Sequence, residues 1–164
     1  MSDKKRAIYF AGVFDGEGTC TIGAGKKETC INYNAVMSVT NTDKRLIDWI
    51  QQNFGGWVVL AKRQVGNQNE AWMWRSTKKD HIEKVLLMIL PYLIVKREQA
   101  KVLLNFVRLP RFVNDPELRK NYWQQLRILN HRGVSLTTNT QDAFPEAMIE
   151  SELIGDDESG PSVN

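Results

Sequence analysis

Glu17 stands between two glycines in the string Phe10-Ala11-Gly12-Val13-Phe14-Asp15-Gly16-Glu17-Gly18. The first half is apolar and reads as the end of a short helix over residues 6–14. Two glycines in three residues favour non-helical backbone, so the helix is expected to break at residues 15–18. A carboxylate at such an exit stands clear of its own backbone, beside open carbonyl oxygens. These are hard donors, and they suit Mg²⁺. The Ala11-Gly12 pair sits inside the apolar helix, where a glycine costs about 1 kcal/mol against alanine. Close approach of another helix is a physical reason to keep it. Asp15 reads as serving the turn rather than the chemistry.

Other chemistries are poorly supplied. His81 and His131 have no Cys or His at ligand spacing, which disfavours zinc and histidine-based nuclease chemistry. No glycine-rich loop leads into a Lys in the phosphate-cradling pattern, so ATP use has no support. Cys20 and Cys30 are the only cysteines and read as free thiols. The segment Ser2-Asp3-Lys4-Lys5-Arg6 lacks the apolar stretch of a secretory signal. The expectation is an intracellular protein, not secreted, with cytoplasmic and organellar settings both open. No apolar run is long enough for a membrane span; the best stretch, Val85 to Val95, contains Pro91 and Tyr92. Residues 150–164 hold five acids and no Lys or Arg, so residues 1–149 carry 22 basic against 14 acidic residues, a net +8. A basic body with an acidic end fits a polyanion such as nucleic acid.

The elements that must position Glu17 follow from periodicity. Residues 19–25 and 31–40 alternate and read as strands. Thr42-Asp43 opens a helix with Thr42 as cap; Leu46, Ile47, Ile50 and Phe54 have helical spacing, and Gly55-Gly56 stops it. A second strand pair is expected at 57–65 and 70–77. Helices are expected at 79–90, ended by Pro91, and at 95–109, ended by Pro110. Asp115-Pro116 is a capping residue followed by Pro at the first position, and its helix should reach about residue 130. A last helix starts at Thr140 or Asp142. The 164 residues suit one domain over 1–154, with 155–164 an acidic, disordered tail.

The nine-residue string resembles the LAGLIDADG motif of homing endonucleases. The likeness continues through Val39-Thr40-Asn41-Thr42-Asp43-Lys44-Arg45, Phe54-Gly55-Gly56, Trp72-Met73-Trp74-Arg75, and the run from Leu90 to Ala100. These segments lie in the family's order and spacing across residues 7–109. The resemblance implies an α+β fold: an αββαββα core, a curved four-stranded antiparallel DNA-binding sheet, helices on its other face, and additional C-terminal helices. It implies a site-specific endonuclease that breaks both strands of a long, pseudo-palindromic double-stranded DNA target by metal-dependent hydrolysis. Such enzymes promote insertion of their own coding element, an intron or intein. One motif per chain implies a homodimer, with Phe10, Ala11, Gly12 and Phe14 at the interface.

Carried over position by position, the resemblance makes Glu17 and the Gly16 carbonyl metal ligands. Asn41 matches a polar residue that orders the attacking water, Arg45 a basic residue of the same network, and Lys96 the lysine at the site's edge. The family's acid is often Asp; Glu17 offers the same carboxylate on a longer arm. Mg²⁺ is the implied cation. Mn²⁺ is expected to substitute, and Ca²⁺ to support binding with little cutting because its coordination is looser.

Strand alternation selects the DNA face. It carries Asn32, Asn34, Val36, Ser38 and Thr40 from one strand, Thr19, Thr21 and Gly23 from its neighbour, and Met73 and Arg75 from the fourth. Arg63 joins Arg75 if the third strand has that phase; Lys62 and Gln64 compete. Ile31, Tyr33, Ala35, Met37 and Val39 form the core face. The tryptophans read as packing residues, and Asn41 and Thr42 also suit helix capping. Two alternatives stand beside the nuclease: an RNA maturase or non-catalytic DNA binder of the same fold, and a structural homodimer using the motif helix only for packing. Glu17 and Lys96 favour the enzyme.

Overall fold

The computed structural model describes residues 1–27, 30–61, 70–110 and 115–131. Arg63, the helix expected from residue 140 and the acidic tail lie outside the described residues.

Helix α1 spans Asp3–Glu17, longer at both ends than the expected 6–14. Ser2 caps its start, and Asp3 sets a negative charge against the free N–H groups of the first turn. At the far end Gly16 stays helical, and Gly18 leaves with φ −79°, an ordinary extended conformation. Gly18 is there for space: a Cβ would overlap the Phe14 ring and carbonyl oxygen.

Strand β1 (Gly18–Lys27) follows with no loop, and β2 (Cys30–Asn41) returns antiparallel with Val39 opposite Gly18. Helix α2 (Lys44–Phe54) is capped by Asp43 rather than Thr42. The Asp43 carboxylate accepts the Arg45 N–H at 2.9 Å, while Asn41 Oδ1 accepts the Asp43 N–H at 2.8 Å. Gly55 and Gly56 then take φ 75° and 83°, a conformation that glycine adopts without strain. A Cβ on Gly56 would also lie 2.6 Å from Trp74 Nε1 and 2.9 Å from the Arg75 carbonyl. Gly56→Ala is therefore expected to lower stability by about 2–4 kcal/mol, from left-handed strain and overlap together. Urea unfolding measures this; a variant as stable as the parent would contradict the packing of this turn.

Strand β3 covers Trp57–Leu60, with 62–65 of its expected span outside the described residues, and β4 (Trp72–Ser76) is shorter than the expected 70–77. The four form an antiparallel sheet in the order β1-β2-β4-β3. Helix α3 (Lys79–Ile89) runs into a 3-10 turn at Leu90–Tyr92 around Pro91. Helix α4 (Arg97–Arg108) starts two residues later than expected. Helix α5 (Pro116–Asn130) starts where Asp115-Pro116 places it, with the Asp115 carboxylate accepting two N–H groups at 3.0 and 3.1 Å.

The helices cover one sheet face. Cys20, Ile22, Tyr33, Ala35, Met37, Val39 and Trp74 are buried there. Phe10 is at the centre, its ring 4.5 Å from that of Phe54 and 5.5 Å from that of Trp74. This corrects the expected dimer surface: Phe10, Ala11 and Phe14 are fully buried in the chain's own core and are spent on holding α1 to the sheet, whereas Gly12 is exposed. Ile31, expected on the core face, is 57% exposed. His81 is a structural link. Its Nε2 lies 2.6 Å from the Phe54 carbonyl and must donate there, while Nδ1 is hydrogen-bonded with Ser76 Oγ at 2.6 Å. Among the described residues, no helix is long and apolar enough to cross a membrane.

Candidate active site

Glu17 is the last residue of α1, exposed, and without a hydrogen-bond or ion-pair partner among the described residues. The carbonyls beside it point out of the helix end and carry its partial negative charge. Lys96 answers them. Its Nζ donates to the Asp15 carbonyl at 2.6 Å and reaches the Gly16 carbonyl at 3.5 Å.

Asp15 holds Lys96 there. Its carboxylate accepts the Ile94 N–H at 2.8 Å and the Lys96 N–H at 2.9 Å. Asp15, expected to serve its own turn, fastens a loop 79 residues away. No local pattern signals such a contact. The sole hint was that two separate segments matched one family's site.

Asn41 closes β2 two residues after Val39, and Val39 faces Gly18 across the ladder. The register therefore sets Asn41 at the strand end beside the close of α1. Its Oδ1 is committed to the Asp43 N–H, so capping and a place near Glu17 coexist. Arg45 is different. Its side chain is 91% exposed and paired with Asp43 at 2.6 Å. The Arg45 hydrogen bonds, with its charge, hold the Asp43 carboxyl below its usual range. No contact among the described residues joins Arg45 to Glu17 or Lys96. Cys20, also near the Lys96 charge, is buried, and that burial pushes its thiol up to about 12, with Lys96 offsetting only part of the rise.

The groups gathered at this helix end are hard oxygen donors. The donors present are the Glu17 carboxylate and main-chain carbonyls, and the Lys96 ammonium already lies against the latter. Among the described residues no three His, Cys, Asp or Glu side chains converge.

The sheet face away from the helices begins at the same point. Asn32 and Asn34 are exposed, and Val36, Ser38 and Thr40 partly so, each alternating with a buried neighbour. The register aligns Thr19 with Ser38, Ser38 with Arg75, and Arg75 with Trp57. Thr40 aligns with Met73, and Met73 with Val59. Trp57, read from the sequence as packing, is 36% exposed and on this outer face. Arg75 Nε is shielded from solvent and finds no acceptor.

No protein-family profile and no curated protein matches the chain by sequence. By three-dimensional structure, solved proteins do match. I-CvuI, a homing endonuclease in complex with a DNA target, superposes with TM-score 0.67 at 20% identity, over 81% of this chain and 87% of that one. An archaeal intron-encoded homing endonuclease complexed with DNA gives TM-score 0.65 at 14% identity, over 84% and 91%. The chain has the LAGLIDADG homing endonuclease fold. I-SmaMI, a LAGLIDADG homing endonuclease bound to cleaved DNA, matches with TM-score 0.61 at 20% identity, over 79% of this chain and 45% of that one. In this LAGLIDADG fold the string FAGVFDGEG occupies α1 and its exit, as the motif resemblance implied.

Proposed function

We propose that the chain is a metal-dependent, site-specific DNA endonuclease acting as a homodimer. The observation that carries this is the exposed Glu17 at the α1 exit, with Lys96 fixed beside it and a polar, arginine-bearing sheet face running from the same junction. The structural neighbours were solved with DNA, and I-CvuI in the presence of Mg and of Ca.

In this reading Glu17 and the Gly16 carbonyl hold Mg²⁺. The bound cation supplies charge neutralisation at the cut phosphate and water activation. Lys96 adds positive charge at the leaving oxygen, Asn41 orients water through its amide, and Arg45 swings from Asp43 to a phosphate. Thr19, Thr21, Asn32, Asn34, Ser38 and Arg75 contact base edges, since Asn and Arg pair well with purines.

Two features support the dimer. A Cβ on Gly12 or Gly16 would meet nothing within 4 Å, so the chain's own packing does not require either glycine. With Ile8, 46% exposed, they lie four residues apart along one open line of α1. A second α1 laid along that line explains two helical glycines that each cost about 1 kcal/mol. This chain also spans most of I-CvuI but under half of I-SmaMI, as expected if two copies make one full DNA-cutting unit. Gly12→Leu is expected to convert the dimer to monomer and to weaken DNA binding by about tenfold or more, because its side chain would separate the helices. Sedimentation velocity checks this; an unmodified protein that is monomeric and fully active would remove the dimer.

The function itself is tested by incubating the protein with a randomised duplex library, with Mg²⁺ or with EDTA, and sequencing new ends. The expected outcome is two Mg²⁺-dependent cuts per site, symmetric about its centre. Identical libraries under both conditions would overturn the reading.

A further inference from the structure

On the reading of the outer sheet face as a DNA-reading surface, the rows across it differ in chemistry. The row farther from Glu17 aligns Thr19, Ser38, Arg75 and Trp57. The row nearest Glu17 is methyl-rich: Thr40, Met73 and Val59. Its closeness follows from the register, since Thr40 comes one residue after the Val39 that faces Gly18. Val59 is 40% exposed, and Thr40 and Met73 are partly exposed, each beside a buried core residue. No charged group and no side-chain amide stands in this row.

An apolar row at the rim of a polar face needs an apolar partner. In the major groove the only apolar base feature is the thymine 5-methyl group. We propose that Thr40, Met73 and Val59 form a thymine-selective strip that reads the base pairs flanking the cut, and that Arg75 reads a purine farther out. Same-face residues along a strand are about 6.8 Å apart, which matches two base-pair steps of about 3.4 Å. With the strands along the groove, the thymine preference therefore falls about two base pairs inside the Arg75 position. The net charge of +8 on residues 1–149 suits DNA as the occupant rather than another apolar protein surface.

The test starts by selecting duplexes that bind the unmodified full chain in Ca²⁺ from a randomised library. The selected site is then made with deoxyuridine for thymine, which deletes the methyl and keeps every hydrogen-bonding group. Removing one methyl at the inner position is expected to weaken binding about fourfold, the ordinary transfer effect of one carbon, and about fifteenfold when both half-sites are changed. The same swap outside the inner positions should change binding by less than about twofold. Val59→Asn should reduce the inner uracil effect and shift the selected base there. Its melting temperature should stay close to the parent's, because the side chain is on an edge strand.

A strong selected site with no inner thymine, or with no uracil effect, would overturn the strip while leaving the endonuclease reading intact. Failure to enrich any duplex would overturn that reading, and the strip with it.

Discussion

Glu17→Gln is expected to reduce DNA cleavage by about 100-fold or more, the scale on which loss of one charge-stabilising group acts. The substitution keeps the shape of the side chain and removes its negative charge. Glu17 is exposed and makes no hydrogen bond or ion pair among the described residues, so folding should be untouched. That separation is what makes the variant informative. DNA affinity should hold or rise slightly, because a carboxylate near phosphates repels them. Nicking, double-strand cutting and gel shift on one target give the three readouts. An RNA-directed protein of the same fold would lose nothing with this change. Full cutting by the variant would take Glu17 out of the mechanism.

Asp15→Asn should produce the second large effect, through Lys96. The native carboxylate accepts two backbone N–H groups, at 2.8 and 2.9 Å, and so fixes the turn into α4. The amide has one acceptor oxygen and points a donor at the other N–H. Hydrogen bonds to a charged group are worth about 1.5–3 kcal/mol each, so the loop should loosen and the Lys96 ammonium leave its position. Cleavage at saturating DNA is expected to fall about tenfold to 100-fold, with little change in the DNA concentration needed for half-maximal rate. A merely structural weakening would add its effect to that of any other change. If Asp15 acts by placing Lys96, Asp15→Asn combined with Lys96→Met should be no slower than Lys96→Met alone. Fully additive losses would contradict the positioning role.

Much of this arrangement is legible in the sequence, because it rests on local rules. The β2 alternation from Tyr33 to Thr40 separates core from outer face correctly, since a period of two leaves no freedom once one face is buried. Asp115-Pro116 and Gly55-Gly56 mark helix ends through capping chemistry and backbone freedom, and the chain obeys both. What stayed hidden depends on long-range packing. The apolar face of α1 looked like a dimer surface because its residue types do not say which partner buries them. Phe10 and Phe14 turned out to face Trp74 and the sheet. Gly16 looked like a helix breaker, yet an open surface allows the helix to run on to Glu17. Asp15 could not be linked to Lys96 by spacing, because the contact exists only once α1 and the α4 entry are packed together. Arg45, placed near the site by motif position, is held by Asp43 instead.

The claim on which the rest depends is that a divalent cation sits at the α1 exit on Glu17. Iron(II) can stand in for Mg²⁺ on oxygen donors, and with ascorbate and peroxide it releases radicals that cut the polypeptide backbone beside the bound ion. Mapping those cuts in the DNA complex reads the metal's position without relying on cleavage activity. The expected pattern is scission at residues 15–18 and near Lys96, suppressed by excess Mg²⁺ and absent from Glu17→Gln. Scission elsewhere in the chain, or a pattern unchanged in Glu17→Gln, would contradict the account.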